Sequence, residues 1–462
     1  MKESSKEYEL FEKSPVHIAI MKLAVPTVFG QIILVIYNMA DTFFIGLTGS
    51  DIKLTAVTVC MPAFMFLSAI SNLFGVGGAS EVSRSLGRRE LRRAGDAAAF
   101  AVWGCVGMTL LYSLGAWVLL DPYVNILGGF HVGVHQLARG YLISTVVLGG
   151  IGTSMNALLA HLVRSEGRSS QASIGIMMGG ILNMLLDPLF MFRLLPPGNE
   201  VLGAGIATGL SNFIAMLYFV VILYKNRRAS ALRFRPTKRL LDRDLALTIF
   251  STGLPACIMT LFENISYALL DRLMASNGTS VQAGIGVAKK VNMLAHCIVR
   301  GMTQGVLPLI AYNYAARNYK RMHAVVRLSV SISVFLAGLC MAACLAFSYE
   351  LVGVFIQHGG DSLYYGARFL RILCVGGPFS ACAYTFISFF QAVGSGGRSF
   401  ILAILRKGIL DMPLMLVLTR VWPAYGTVWA TPITDVVCCA VAIVLFRIFI
   451  TRAHASMPGY DN

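Results

Sequence analysis

The sequence predicts an all-α integral membrane protein: twelve transmembrane helices in two six-helix lobes related by a parallel pseudo-twofold repeat. Three observations predict it. Apolar residues make up 56% of the 462 residues and charged residues only 13%. Long apolar runs of spanning length follow one another along the chain. Short segments recur at an offset of 228–230 residues. A soluble domain carries roughly 25% charged residues, and the mean hydropathy of +0.70 fits a surface that mostly avoids water.

A spanning helix needs about 20 mostly apolar residues, so twelve helices and short loops use the whole length. The runs place spans at 16–46, 53–77, 95–120, 137–163, 170–192 and 201–224, then at 246–274, 284–312, 323–347, 365–393, 399–420 and 425–450. Proline and glycine inside them are acceptable, because neighbouring helices can satisfy the freed backbone groups. A β-barrel would show shorter alternating segments. The expected lobes are residues 1–224 and 245–462, joined by a basic connection at 225–244. The first run is expected to be a span and not a removed leader, since no short apolar core and small-residue cleavage site marks one.

The net charge of +16 is topological. Arg84, Arg88, Arg89, Arg92 and Arg93 follow span 2, and Lys225, Arg227, Arg228, Arg233, Arg235, Lys238, Arg239 and Arg243 follow span 6. Arg317, Lys320 and Arg321 follow span 8, while Asp121–Gln136 contains no Lys or Arg. By the positive-inside rule these basic loops and both termini face the cytoplasm. The expected location is thus the cell (inner, cytoplasmic) membrane, and nucleic acid is not an expected partner. The ten cysteines include no CxxC, and the eight histidines show no metal spacing. No HExxH, P-loop or GxSxG motif is present, so neither an enzyme nor a nucleotide-driven machine is expected.

The repeat is read from four matches. Ser83–Ala94 pairs with Ala311–Met322 at an offset of 228, which also places Gly77 on Gly305. Pro26 pairs with Pro255 at 229, and the EGRS at 166–169 with the GGRS at 396–399 at 230. Ala207-Thr208 pairs with Ala430-Thr431 at 223. Six spans per copy bring both copies in from the same side, which makes the repeat parallel. Such repeats rock about a central cavity in transporters.

Ionisable groups inside a span cost roughly 2.5–3.5 kcal/mol or more at the bilayer centre, so each needs a reason. In the first copy the set is Asp41, Asn183, Asp187 and Thr208, with Tyr37 and Asn38 a turn before Asp41. Asn183 and Asp187 share one helical face, and Pro188 leaves a carbonyl one turn back without its usual donor. Oxygen donors of this kind suit a hard cation, such as Na⁺, or a proton shared between two acids. The alternative is that each acid is only an interhelical hydrogen bonder. In the second copy Glu263, Tyr267 and Asp271 form one stripe, with Arg300 on the next span as a potential partner of Glu263. Asp271 is expected to pair with Arg272 and Lys407 with Asp411, and Asp435 has no obvious partner in sequence. Tyr37, Asn38, Glu263, Tyr267 and Arg300 are the substrate-cavity candidates. Read at the repeat offsets, Asn183 falls opposite Pro413 and Asp187 opposite Val417. The expectation is therefore a doubled scaffold whose second copy keeps Thr431 but not the carboxylates.

These segments resemble the MATE (multidrug and toxic compound extrusion) transporters. The likeness rests on MADTFFIG at 39–46, GVGGASEVSRSLG at 75–87, LNMLLDPLF at 182–190, GAGIAT at 203–208 and TQGVLPLIAYNYAARNYKR at 303–321. It covers essentially the whole chain and is closest to the bacterial multidrug-resistance branch. The resemblance implies a secondary active exporter, with no cofactor and H⁺ or Na⁺ as coupling ion. Its partners would be cationic or amphipathic small molecules and the lipid bilayer, and it would be a monomer. It implies that Asp41, Asn183, Asp187 and Thr208 take the coupling ion. Another branch pairs a glutamate in span 7 with an aspartate in span 10. Glu263 resembles the first, but AYTFISFFQAVG at 383–394 has no acid. The alternatives are a lipid-linked sugar flippase of the same wider superfamily, towards which only Arg300 leans, and a polytopic membrane enzyme.

Overall fold

The computed structural model describes residues 9–235, 242–356 and 360–456, and among them every regular element is helical. Lys238 and Arg239 of the basic connection lie outside the described residues. Twelve long rods follow in order. They are α1 (Val16–Gly46), α2 (Asp51–Gly87), α3 (Leu91–Val118) and α4 (Val132–Leu142, then Gly150–Ser165 after a π turn). Next come α5 (Ser169–Leu189), α6 (Glu200–Lys225), α7 (Arg243–Ala275), α8 (Thr279–Ala315) and α9 (Tyr319–Ala346). The last are α10 (Asp361–Val375, then Gly377–Ala392), α11 (Gly396–Ile404, then Met412–Val421) and α12 (Tyr425–Ser456). Nine described helices are long and apolar enough to cross a membrane, or eleven if the two bent rods each count as one span. The twelfth rod is α11, whose centre is a π turn, Leu405–Asp411, carrying buried Arg406, Lys407 and Asp411.

Several rods run past the expected span ends. α2 continues to Gly87, so Arg84 sits in its last turn and not in a loop. There the buried Glu81 gathers Arg84, Arg88 and Arg93 at 3.0, 2.9 and 2.6 Å. Part of the basic loop charge is thus neutralised by one carboxylate. Glu166 accepts from Ser230 Oγ and from the Ala231 amide at 2.7 Å, which docks the start of the basic connection.

Residues group into two compact units. One is built on Ile32–Thr260 and the other on Phe11–Gln31 with Leu261–Asn462. The expected lobes keep α1 and α7 whole, whereas these units divide both. Close helix approach explains the division. In the first unit a Cβ on Gly253 would lie 1.8 Å from the Leu73 carbonyl oxygen, and one on Gly77 would lie 2.3 Å from that of Ile249. In the second unit a Cβ on Gly301 or Gly305 would press on the backbone of Val28 or Ala24. Small residues let membrane helices approach to backbone contact. Gly253→Leu is therefore expected to cost more than about 3 kcal/mol and to abolish monodisperse protein in size-exclusion chromatography. Gly107→Leu, with nothing within 4 Å of its Cβ position, should leave the yield unchanged.

The duplication is visible in the backbone of each unit. Arg89 and Arg317, 228 apart, are both left-handed at φ 63° and 57°. The same turn bonds surround them: Glu90 N to Ser85 O at 2.8 Å, and Asn318 N to Asn313 O at 2.9 Å. The rods α4 and α10 bend by 49° and 44° at their Gly149-Gly150 and Gly376-Gly377 breaks. The turns after them close with Gly167 N to Arg164 O and Gly394 N to Gln391 O, on glycines of positive φ. These last features match at an offset of 227, not at the 230 read from EGRS and GGRS. Within the π turn of α11 the register changes by one residue. Gly180 of α5 packs its Cα on Ile33 and Tyr37, and Gly408 of α11 does so on Phe262. That is an offset of 228, as an inserted π residue requires.

Candidate functional site

In the first unit α1, α5 and α6 bring four polar side chains together. α5 presents Asn183 and Asp187 one turn apart, both buried. Gly180, a turn earlier, lets α1 approach, with Tyr37 Cδ1 3.0 Å from where a Cβ would stand. That approach sets Asp41, one turn after Tyr37, beside Asp187. The two carboxyl groups lie within hydrogen-bonding reach of each other. Asn183 Nδ2 donates to Asp187 Oδ1 and to Thr208 Oγ1, each at 3.3 Å. Thr208 in turn donates to the Ala204 carbonyl at 3.0 Å. Behind them Asn212 donates to the Thr208 carbonyl at 2.9 Å and accepts from Asn156 at 3.0 Å, which ties α4 to the site.

Three oxygens here have no donor among the described residues: Asp41 Oδ1, Asp187 Oδ2 and Asn183 Oδ1. Buried acceptors are normally satisfied. Two facing carboxyls, each with an oxygen that lacks a donor, need either a proton on one of them or a small cation between them. The donor set, two carboxylates, an amide and a hydroxyl, fits either. No group of three His, Cys, Asp or Glu suited to a transition metal occurs among the described residues.

Tyr37 is buried beside this set, while Asn38 spends its amide on its own helix, donating to Leu34 O at 2.7 Å. Tyr141 was not singled out by the sequence, yet it lies within electrostatic range of both acids. Its position on α4, flanked by Gly140 and Leu142, carries no signal of this.

The second unit has a different interior. Arg300 Nη2 binds Glu263 and also reaches Tyr384 Oη at 3.4 Å. Arg406, absent from the sequence candidates, is the partner of Asp435. Its Nε donates at 2.8 Å, its Nη2 reaches Ser380 Oγ at 2.8 Å, and its guanidinium sits 4.2 Å from the Tyr384 ring. Lys407 Nζ donates to Asp411 at 2.8 Å. Asp271 pairs with Lys289 at 2.5 Å and not with Arg272, since adjacent residues point away from each other on a helix. Tyr267 has Lys289 and Lys407 over its ring at 5.2 and 5.5 Å. The substrate-cavity candidates therefore fall into two sets: Tyr37 and Asn38 in the first unit, Glu263, Tyr267 and Arg300 in the second. A small cavity in the second unit is lined by Glu263, Tyr267, Arg406 and Lys407 among others.

The family model MatE matches the chain twice, over residues 26–189 and 255–417. The doubled match keeps the register of the repeat. The chain is 26% identical over 435 residues to the multidrug export protein MepA of Staphylococcus aureus (strain MSSA476), covering 94% of each. Among solved structures, a MATE protein in complex with MaL6 superposes with a TM-score of 0.89 at 22% identity, over 97% of this chain and 99% of that one. An outward-facing multidrug resistance MATE family transporter of the MOP superfamily also reaches 0.89, at 21% identity, over 97% and 98%. These superpositions show the shared fold of twelve helices in two lobes.

Proposed function

Because the chain belongs to the MatE family, we propose that it is a multidrug efflux transporter that exchanges cytoplasmic cationic or amphipathic compounds for external H⁺ or Na⁺. The observation that carries the coupling is the set of unpartnered oxygens on Asp41, Asp187 and Asn183, all within one unit. Two adjacent carboxylates in a low-dielectric interior cannot both stay charged without a counter-charge. An ion entering from outside supplies it and relieves the site. A cationic drug and the ion then compete for the same negative charge, so arrival of one favours release of the other. Each elementary charge crossing the membrane contributes roughly 2.3 kcal/mol per 100 mV. Thr208 and Asn183 hold the acids in place, and the Asn156–Asn212 link fixes Thr208. Pro26 interrupts the bonding of α1 and gives that helix a point to bend as the lobes alternate.

The reading places the protein in the cytoplasmic membrane, multi-pass, with both termini inside and acting as a monomer without enzymatic activity. MepA's name as a multidrug export protein supports the substrate class. The flippase alternative rested on Arg300, and that cation is engaged by Glu263.

Expression in a pump-deficient host, scored on a panel of cationic and amphipathic drugs, tests the substrate class. Raised resistance to several members is expected, and unchanged resistance to all of them contradicts it. Inverted vesicles with either a pH gradient or a sodium gradient imposed then identify the ion. At least one gradient is expected to drive substrate accumulation.

A further inference from the structure

The two copies can be matched along the sequence at the site, once the π turn of α11 is counted. At the offset of 228 that holds within this turn, Asn183 of α5 corresponds to Asp411 of α11, not to Pro413. Thr208 of α6 corresponds to Thr431 of α12. The bond to the threonine repeats as well. Asn183 bonds Thr208 Oγ1 at 3.3 Å, and Asp411 Oδ1 accepts from Thr431 Oγ1 at 3.0 Å. Tyr37 of α1 corresponds to Ser266 of α7, which donates to Asp411 Oδ2 at 2.6 Å. The second copy thus keeps the frame of the site and does carry a carboxylate within it, contrary to the expectation drawn from an offset of 230.

The two frames differ in what fills them. In the first, oxygens of Asp41, Asp187 and Asn183 lack donors. In the second, both oxygens of Asp411 are satisfied, and the charge on them is met by the Lys407 ammonium at 2.8 Å. Lys407 and Asp411 are 4% and 0% exposed. They stand on the single π turn of α11, and π turns recur at functional sites. A buried lysine beside one carboxylate is a monovalent cation on a tether.

We propose that the second copy is a duplicate of the ion site in which the Lys407 ammonium permanently takes the place of the coupling ion. This rests on the coupling reading given above. It assigns Lys407 a role beyond that of an ion pair: it keeps the second frame closed to H⁺ and Na⁺, so that one transport cycle responds to one site. Asp411 is bonded by Lys407 on its own rod, Ser266 on α7 and Thr431 on α12, and Tyr267, Lys289 and His296 line the cavity beside Lys407. Glu263, Arg406 and Asp435 are the nearby charges. All of these are retained when Lys407 alone is replaced.

The test is made on the full chain with Asp41→Asn and Asp187→Asn already present, which silences the first site. Unfolding midpoints are measured in detergent with sodium against choline at fixed ionic strength, and separately at pH 5.5 against pH 8. The silenced background should respond to neither. Adding Lys407→Met should create a response to sodium or to acid, with the midpoint rising by about 3 °C or more. Adding Asp411→Asn as well should abolish that response. A merely structural ion pair predicts a lower midpoint in the Lys407→Met chain, insensitive to both ions. That result overturns the proposal, as does failure to recover folded Lys407→Met protein in either sodium or acid. Drug efflux by the otherwise wild-type chain is scored separately, so loss of the coupling reading and loss of this inference are distinguishable.

Discussion

Asp187→Asn is expected to collapse the drug gradient that cells expressing the protein can maintain, at unchanged protein level. Asp187 is fully buried, accepts from Asn183 and faces Asp41. Removing one carboxylate leaves a single negative charge where there were two, so no like-charge repulsion remains for an entering ion to relieve, and drug binding and ion binding lose their coupling. A lost charge at 100 mV forfeits about 2.3 kcal/mol, or roughly fiftyfold in accumulation ratio. Asp41→Asn should behave alike, because the two acids act as one unit. The double variant should be no worse than either single one, a non-additivity that independent sites would not show. Substrate accumulation in a pump-deficient host is the measurement. Asn212→Ala, which breaks the supporting links to Thr208 and Asn156, should produce a smaller loss.

Arg406→Met is expected to be the most destabilising single change in the second unit. Arg406 and Asp435 are each 2% exposed, and Arg406 also bonds Ser380 and covers Tyr384. Breaking a buried pair from one side leaves an uncompensated charge and costs about 3–5 kcal/mol. The double variant Arg406→Met/Asp435→Asn removes that charge and should recover most of the lost unfolding midpoint. If the single and double variants unfold together, the loss comes from packing on Tyr384 and not from the stranded carboxylate.

The twelve rods were legible in the sequence because nothing but a bilayer accounts for runs so apolar and so long. The four oxygen-bearing residues could be picked out for the same reason: a carboxylate in such a run stands out against its surroundings. Glu263 and Arg300 were legible as partners, since they are opposite charges deep within neighbouring spans. The duplication was legible too, but its register was not. EGRS and GGRS suggested an offset of 230, whereas the backbone turns give 227 and the π turn of α11 moves it to 228. A π insertion leaves no mark in composition, and a shift of two residues turns Pro413 into Asp411 as the counterpart of Asn183. Arg406 was missed on the same account. In a regular helix Arg406 and Lys407 point 100° apart, and neither the widened turn nor its approach to Asp435 on α12 can be read from spacing. The division of α1 and α7 between units was hidden because it depends on glycines, Gly77, Gly253, Gly301 and Gly305, whose meaning lies in what they touch.

The most direct test of the central claim is substrate-driven ion movement in proteoliposomes loaded with pH- and sodium-sensitive dyes. Wild-type protein should move one of the two ions against added substrate, and the Asp41→Asn/Asp187→Asn variant, reconstituted at equal density, should move neither. Ion counterflow by that variant at the wild-type rate would contradict the assignment of coupling to the first copy.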